Sequence, residues 1–320
     1  MLSGFPERLD ATVVPVAVLK RLSTGVEHVL TSHFVVGRGP ACQLRVPKPQ
    51  VSGLHAELLW DGARWVVQDL GSRNGTFVDG TRLSPGERAE LGRGAELAFG
   101  ELEDRFRMVD ASPPRLMAIA TDGSCVVAEG NLMSLPSSED PELSVFENSD
   151  GRWVLETPEG RRLLSDRDTA VVGSTSWTIY LPTASDRTRD VESQALSLDV
   201  IGLEFSVSRD QEYVAIRMTH GRSAVDLEPR AHAQLLLALA RIRLDDRNNP
   251  ELSDSEHGWA HREQLAKDLA IDLSLLNLWV HRARQQLVKA GVRDAGDVIE
   301  RRPGTLQLRL GVSTLTIHGA

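Results

Sequence analysis

The sequence has few cysteines and no long apolar run. Its 320 residues include two cysteines, Cys42 and Cys125, which are too few for a disulfide framework or for a zinc site made of thiolates. No stretch approaches the ~20 consecutive apolar residues that a membrane-spanning helix needs. Glu7, Arg8 and Asp10 precede the apolar stretch Val13–Leu19, which Lys20 and Arg21 close, so the sequence does not have the pattern of a secretory signal. We therefore expect a cytoplasmic protein with no membrane partner.

Motifs for catalysis and cofactor binding are missing as well. The sequence has no glycine-rich phosphate loop with its lysine, no His-Glu-x-x-His metal motif and no nucleophile elbow around a serine. We expect no catalytic residue, no cofactor and no metal, and hence a protein that is not an enzyme.

The charge is acidic overall but unevenly distributed. The 36 Lys+Arg and 45 Asp+Glu give a formal net charge of −9, which disfavours DNA binding through bulk charge. Residues 111–190 carry 7 basic and 13 acidic side chains, a net of −6, whereas residues 273–310 carry 7 basic and 3 acidic ones, a net of +4. A local basic patch near the C-terminus therefore remains compatible with a nucleic acid partner.

Turn signals and a change of periodicity divide the chain. From 13 to 183, short β-branched and aromatic runs alternate with turn dipeptides, as in a β-sandwich. Loop signals near 112 and 185 predict an all-β domain over 13–110, a β-rich middle domain over 115–183 and a linker over 184–198. Because Asp150–Leu155 resembles Asp61–Val67, the middle domain is either a degenerate second sandwich or a spacer.

The last part of the chain, 199–320, has the pattern of an α+β domain. Three strand-like runs precede helical spacing over about Arg230–Leu244, and two further helices are predicted over His261–Leu269 and Leu273–Ala290. A final hairpin turns at Pro303-Gly304. This order of elements is typical of a winged helix.

Three short blocks in the first domain have the chemistry of a phosphate site. They are Gly37-Arg38, Ser52 with His55, and Gly71–Thr76. Phosphothreonine carries about −1.5 to −2 charges and three acceptor oxygens, so its binding site needs a guanidinium fork, a hydroxyl and loop amides. Over roughly residues 14–108, these blocks and their order resemble the forkhead-associated (FHA) domain, a β-sandwich that binds phosphothreonine.

The resemblance implies a role for each of these residues. Arg38 and Ser52 would contact the phosphate, Asn74 the peptide main chain, and Arg73 would lie beside it. The predicted supporting residues of the binding loops are Gly37, His55, Gly75 and Thr76. The sequence departs from the family at Gly53, where bacterial FHA domains often have an arginine, and this leaves the affinity open.

A second resemblance covers residues 200–311. They resemble the winged-helix DNA-binding domain of response regulators and antibiotic-regulatory proteins, with Leu276–Leu287 similar to the recognition helix and Ile299–Leu308 similar to the wing. A spacing of ~100° per residue assigns Leu276, Val280, Ala283 and Leu287 to the core. The predicted contacts to DNA or a protein partner lie on the opposite face and the wing: Ser274, Leu278, His281, Arg282, Gln285, Lys289, Arg301 and Arg302.

Two functional hypotheses follow. The first is a transcriptional regulator that binds a phosphothreonine protein made by a Ser/Thr kinase and acts through a DNA-binding winged helix. The alternative is a phosphorylation-dependent adaptor whose winged helix binds protein, which Leu278 and Trp279 favour. Thr183, Ser185 and Thr188 in the linker would allow phosphorylation-dependent self-association.

Overall fold

The structure is a computed structural model that describes residues 15–182 and 196–319. They divide into two compact units. The first unit contains the described residues up to 127 together with 166–182, and the second contains 128–165 together with 196–319. Within the described residues, no helix is long and apolar enough to span a membrane.

Most of the first unit is a sandwich of two sheets with strand orders β2-β1-β11-β10-β7-β8 and β4-β3-β5-β6-β9. The inner faces meet in an apolar core that includes Phe34, Trp65 and Phe106, each at most 1% exposed. The eleven strands are β1 Val18–Arg21, β2 Glu27–Val29, β3 His33–Gly37, β4 Leu44–Arg45, β5 Ala56–Trp60, β6 Trp65–Asp69, β7 Thr76–Val78, β8 Thr81–Arg82, β9 Arg88–Leu91, β10 Glu96–Phe99 and β11 Arg105–Asp110.

The predicted middle domain, 115–183, is β-rich but is not one unit. Its outer strands pair as a sheet of order β13-β12-β19-β18 in the first unit, and its central strands form the sheet β14-β15-β16-β17 in the second. The eight strands are β12 Met117–Ala120, β13 Cys125–Val127, β14 Leu132–Pro136, β15 Pro141–Glu147, β16 Trp153–Thr157, β17 Gly160–Leu163, β18 Thr169–Val172 and β19 Thr175–Tyr180.

Two separate apolar surfaces explain this division. Met117 of β12 packs against Val16, Val18 and Val29 of the first unit. Phe146 of β15 belongs instead to a cluster with Leu132, Val154 and Val288 of the second unit. The prediction of a single middle domain was therefore wrong, because each pair of hairpins buries its apolar face in a different core.

The rest of the second unit combines two sheets with three helices. The sheets have the orders β22-β21-β20-β26 and β23-β25-β24, and β26 runs parallel to β20. The elements are β20 Gly202–Val207, β21 Val214–His220, β22 Ser223–Leu227, α1 Ala233–Asp246, β23 Ala260–His261, α2 Arg262–Asp268, α3 Leu273–Lys289, β24 Ile299–Arg302, β25 Gln307–Leu310 and β26 Thr314–Gly319.

Helix α3 follows its local sequence closely. Asp272 caps its N-terminus by accepting a 2.7 Å hydrogen bond from the amide N–H of Leu275. The helix ends just before Gly291, whose φ of +86° suits a residue without a side chain. The predicted core stripe is buried in the main core of this unit: Leu276, Val280, Ala283 and Leu287.

Candidate functional site

The loops of the first predicted site approach one another closely in the first unit. The amide N–H of Arg38 donates to the carbonyl of Ser52 at 2.8 Å, and that of Gly39 donates to the carbonyl of Gly53 at 2.9 Å. A Cβ placed on Gly37 would lie 2.3 Å from the carbonyl oxygen of Gly53. Glycine is therefore required at 37 for the loop that carries Ser52 to reach Arg38.

The side chain of His55 connects two of these loops through hydrogen bonds. Its Nδ1 accepts a 3.0 Å hydrogen bond from the amide N–H of Ser52, so Nε2 carries the proton that is donated to the carbonyl of Gly75 at 3.1 Å. The ring is fully buried, and this burial lowers the pKa of His55 below its ordinary value. A neutral imidazole thus holds the loops together, as its predicted supporting role requires.

A buried carboxylate, Asp69, organises the loop from Gly71 to Thr76, although the sequence analysis did not select it. One carboxylate oxygen accepts the amide N–H groups of Gly71 and Ser72, and the other accepts the hydroxyls of Ser72 and Thr76, all within 2.6–2.9 Å. Burial acts to raise the pKa of Asp69, but these hydrogen bonds outweigh it and hold the pKa below its usual range. Their number fixes the loop, with Thr76 as one of the supporting residues.

The four predicted ligand-binding side chains are brought together around these supports. The Ser52 hydroxyl accepts from the amide N–H of Arg73 at 3.1 Å, which leaves its own hydrogen free for an acceptor in a ligand. The amide of Asn74 donates to the carbonyl of Gln50 at 2.8 Å. Arg38 and Arg73 are exposed and form no ion pair within the described residues, so both positive charges are available to an anion.

Position 53 offers space for a further cation. A Cβ on Gly53 meets no atom within 4 Å, and the residue is exposed. We predict that Gly53→Arg tightens binding of an anionic ligand about tenfold, because a charge-assisted hydrogen bond contributes ~1.5–3 kcal/mol. Calorimetric titration with a phosphothreonine peptide would measure this change. Gly53→Gln is the matched control without charge, and an equal gain in both variants would contradict the prediction.

The second predicted site is only partly exposed. On α3, Ser274, Arg282 and Lys289 are exposed, and Leu278 is half-buried. His281, predicted to point outward, is instead 4% exposed, with its Nδ1 2.7 Å from the hydroxyl of Ser134 on β14. The prediction for this residue was wrong because the sheet β14–β17 covers one side of the helix.

The other predicted contacts of this site also have partners within the second unit. Gln285 donates to the carboxylate of Glu129 at 2.7 Å, and Lys289 lies 3.4 Å from the same group. Arg301 donates to Glu156 at 2.9 Å, while Arg302 forms a two-pronged pair with Glu256 at 2.8 and 2.9 Å. Much of the predicted basic surface is thus neutralised within the chain.

Glu156 is the centre of a buried ion cluster that sequence reasoning missed. It is 2% exposed and lies within 2.6–2.9 Å of the guanidinium groups of Arg161, Arg284 and Arg301. Burial acts to raise the pKa of Glu156, but the three positive charges outweigh it and hold the pKa below its usual range. No sequence signal singles out this glutamate, since Arg161 is near it in sequence but Arg284 and Arg301 lie on a helix and a strand far along the chain.

The covered position of His281 predicts a pH dependence. Burial, reinforced by the charge of Arg284, lowers its pKa from 6.5 to about 4. Between these values the unfolded chain binds a proton that the folded unit excludes, so the second unit should lose about 3 kcal/mol of stability as the pH falls from 6.5 to 4. Denaturant unfolding followed by hydrogen exchange in α3 would measure this loss.

Replacing the imidazole of His281 tests how much of this loss of stability it causes. His281→Gln should make the stability depend less on pH. Part of the pH dependence should remain, because burial also lowers the pKa of His232. The exposed His318 provides the control variant His318→Gln, which should retain the full dependence. An unchanged pH dependence in His281→Gln would refute the assignment.

A sequence model of the FHA domain matches residues 34–100. These residues contain the three loops described above, and they form an FHA domain, which confirms the first resemblance at the level of the domain.

Several known proteins are similar to this part of the chain. The FHA domain-containing protein FhaA of Mycobacterium tuberculosis is 36% identical over 74 residues, which are 23% of this chain and 14% of FhaA. The human Mediator of DNA damage checkpoint protein 1 is 36% identical over 118 residues, which are 34% of this chain and 6% of that protein. The chain therefore spans a small fraction of these curated relatives.

Solved structures are also similar to part of the chain. One, from a structural and functional analysis of phosphothreonine-dependent FHA domain interactions, is 28% identical and covers 29% of this chain and 93% of its own, with a TM-score of 0.26. EmbR of Mycobacterium tuberculosis, in complex with a low-affinity phosphopeptide, is 24% identical and covers 31% of this chain and 25% of its own, with a TM-score of 0.28.

Proposed function

We propose that the FHA domain of this protein binds phosphothreonine in a partner protein and that the protein is a regulator in Ser/Thr kinase signalling. The observation that carries this proposal is the convergence of Arg38, Ser52, Arg73 and Asn74 on three loops that His55 and Asp69 hold in place. Such loops are preorganised, so little conformational entropy is lost when a ligand binds.

Each side chain suits one part of the ligand. The Arg38 guanidinium supplies paired N–H donors for phosphate oxygens, and the free hydroxyl hydrogen of Ser52 supplies another. Arg73 adds positive charge beside them. Asn74 can both donate to and accept from the peptide main chain, which gives affinity without dependence on the peptide sequence.

For the second unit, the supported proposal is a winged helix that binds DNA. Strands β20–β22, helices α1–α3 and the β24–β25 hairpin follow the order of that fold, with α3 as the recognition helix and β24–β25 as the wing. Ser274, Arg282 and Lys289 are exposed on α3. The whole would be a cytoplasmic transcriptional regulator without enzymatic activity.

One observation favours a second candidate, a phosphorylation-dependent adaptor. The sheet β14–β17 covers the side of α3 that carries His281, a residue predicted to contact DNA, and Leu278 on the same helix is half-buried. In that case the exposed remainder of the helix would bind a protein. The linker residues Thr183, Ser185 and Thr188, proposed as ligands in self-association, lie outside the described residues.

Two measurements on the full chain test these proposals separately. Binding to a peptide library with a fixed phosphothreonine should exceed binding to the same library with threonine, and equal binding would reject the FHA proposal. Mobility shift with promoter fragments at varied salt tests the second unit. Absence of any salt-sensitive complex at low ionic strength would reject DNA binding and leave the adaptor as the remaining candidate function.

A further inference from the structure

An acidic part of the second unit lies against a basic part of the same unit. Residues 128–165, which contain β14–β17 and are called the acidic sheet here, carry eight acidic and three basic side chains, a net of −5. This sheet packs on α3 and on the β24–β25 hairpin, within the segment 273–310 of net charge +4. The acidic segment in the middle of the chain therefore contacts a basic segment in the folded second unit.

The contacts of the acidic sheet fall on residues predicted to bind DNA. Four of the eight predicted contact residues bond to it: His281 to Ser134, Gln285 and Lys289 to Glu129, and Arg301 to Glu156. Both glutamates present carboxylate oxygens to donors of the kinds that hold DNA phosphates. The acidic sheet thus occupies the position of a polyanion on this surface.

Close packing accompanies the charge pairing. The ring of Phe146 lies beneath the Arg284 guanidinium, 4.9 Å from its centroid, and fills the space above Gly296, where a Cβ would come within 2.1 Å of the ring. A Cβ on Gly130 would lie 2.6 Å from Cγ1 of Val288. This contact leaves no room for a DNA backbone between the acidic sheet and the covered side of α3.

We propose that the acidic sheet is an autoinhibitory mimic of DNA, so that this sheet and DNA bind the same surface of α3 and the wing in alternation. The inference rests on the proposed DNA-binding function of the second unit. DNA binding then requires detachment of the acidic sheet, and any signal that loosens this sheet increases it.

Two variants should release the sheet without altering the predicted DNA contacts. Glu156→Gln removes the carboxylate shared by three arginines, and Gly296→Ala displaces Phe146. The full chain with either change should bind a fluorescent DNA duplex of randomised core at least about tenfold more tightly than the wild type, because apparent affinity scales with the uncovered fraction. Glu159→Gln, which removes the same charge at an exposed position of the same segment, should bind like the wild type.

A reversible disulfide that holds the acidic sheet against α3, called the clamp, tests whether fixing the sheet in place weakens DNA binding. Gly130 and Val288 are close enough to be linked in Gly130→Cys/Val288→Cys, made with Cys42→Ser and Cys125→Ser, and the backbone strain of a side chain at Gly130, whose φ is +59°, is common to both redox forms. The oxidised clamp should bind the duplex at least about tenfold more weakly than the reduced form of the same protein, by the same scaling with the uncovered fraction. Because one polypeptide is compared with itself, a folding defect cannot produce this difference.

The outcomes separate the two proposals. If the oxidised and reduced clamps bind DNA equally, the autoinhibitory contact is refuted while DNA binding stands. If no form binds the duplex, although hydrogen exchange reports α3 uncovered in Glu156→Gln, the DNA-binding function itself fails, and the inference fails with it. The proposal that the acidic sheet mimics DNA is supported if both variants bind DNA more tightly and the oxidised clamp binds DNA more weakly.

Discussion

Replacing Arg38 with alanine should weaken binding of a phosphothreonine peptide by about a hundredfold. The guanidinium is exposed, forms no ion pair within the described residues, and makes one side-chain hydrogen bond, from Nε to the carbonyl of Val51 at 3.2 Å. Its remaining N–H groups can donate to two phosphate oxygens, and two charge-assisted bonds at ~1.5 kcal/mol each give this loss. Calorimetry with matched phosphorylated and unphosphorylated peptides would measure it.

The matched variants define what the arginine contributes. Arg38→Lys keeps the charge but loses the planar fork, so its affinity should fall between those of Arg38→Ala and the wild type. Arg93→Ala removes an exposed arginine from the turn between β9 and β10 and should leave binding unchanged. The assignment of Arg38 as a phosphate ligand would be abandoned if Arg38→Ala and Arg93→Ala bound alike.

The FHA site was predictable from sequence because its signals are local. Three short blocks lie on or next to loops between short strands, and their residue types indicate a phosphate site. They are Gly37-Arg38, Ser52 with His55, and Gly71–Thr76. Asp69 was not predictable in this way. An aspartate at the end of a strand is common, and only the folded loop reveals that four donors converge on it.

In the second unit, some features depend on neighbouring residues and were predictable, whereas others depend on residues that are distant in sequence. Helical periodicity placed α3 correctly, since it depends on neighbouring residues. The burial of His281 and Arg284 depends on the acidic sheet, whose strands are distant in sequence. Charge counting located an acidic segment and a basic one, but no pattern in the sequence pairs Glu156 with its three arginines.

The division of residues 115–183 was missed for a related reason. Strand-like runs and turns predict that hairpins form, but they do not indicate which core each hairpin joins. The pairing of β12 with β19 brings together the two ends of this stretch, whereas β14–β17 between them belong to the other unit.

Replacing Asp69 with alanine should destabilise the FHA domain by about 3 kcal/mol and abolish phosphopeptide binding. The carboxylate is 1% exposed and accepts from the amides of Gly71 and Ser72 and from the hydroxyls of Ser72 and Thr76. Alanine leaves these buried or half-buried donors without their acceptor, and each buried unsatisfied group costs about 1–3 kcal/mol. Urea unfolding and peptide titration of the same variant would measure both effects.

A second aspartate with similar bonds provides the comparison. Asp61 accepts the amide N–H groups of Ala63 and Arg64 at 2.9 Å, but in an exposed turn where water can replace the lost acceptor. Asp61→Ala should therefore destabilise the domain far less than Asp69→Ala and leave binding unchanged. Asp69→Asn keeps one carbonyl acceptor and should fall between the two. If Asp69→Ala unfolded at the same urea concentration as Asp61→Ala and still bound the peptide, the loop would not depend on this carboxylate, and the site would have to be held by His55 alone.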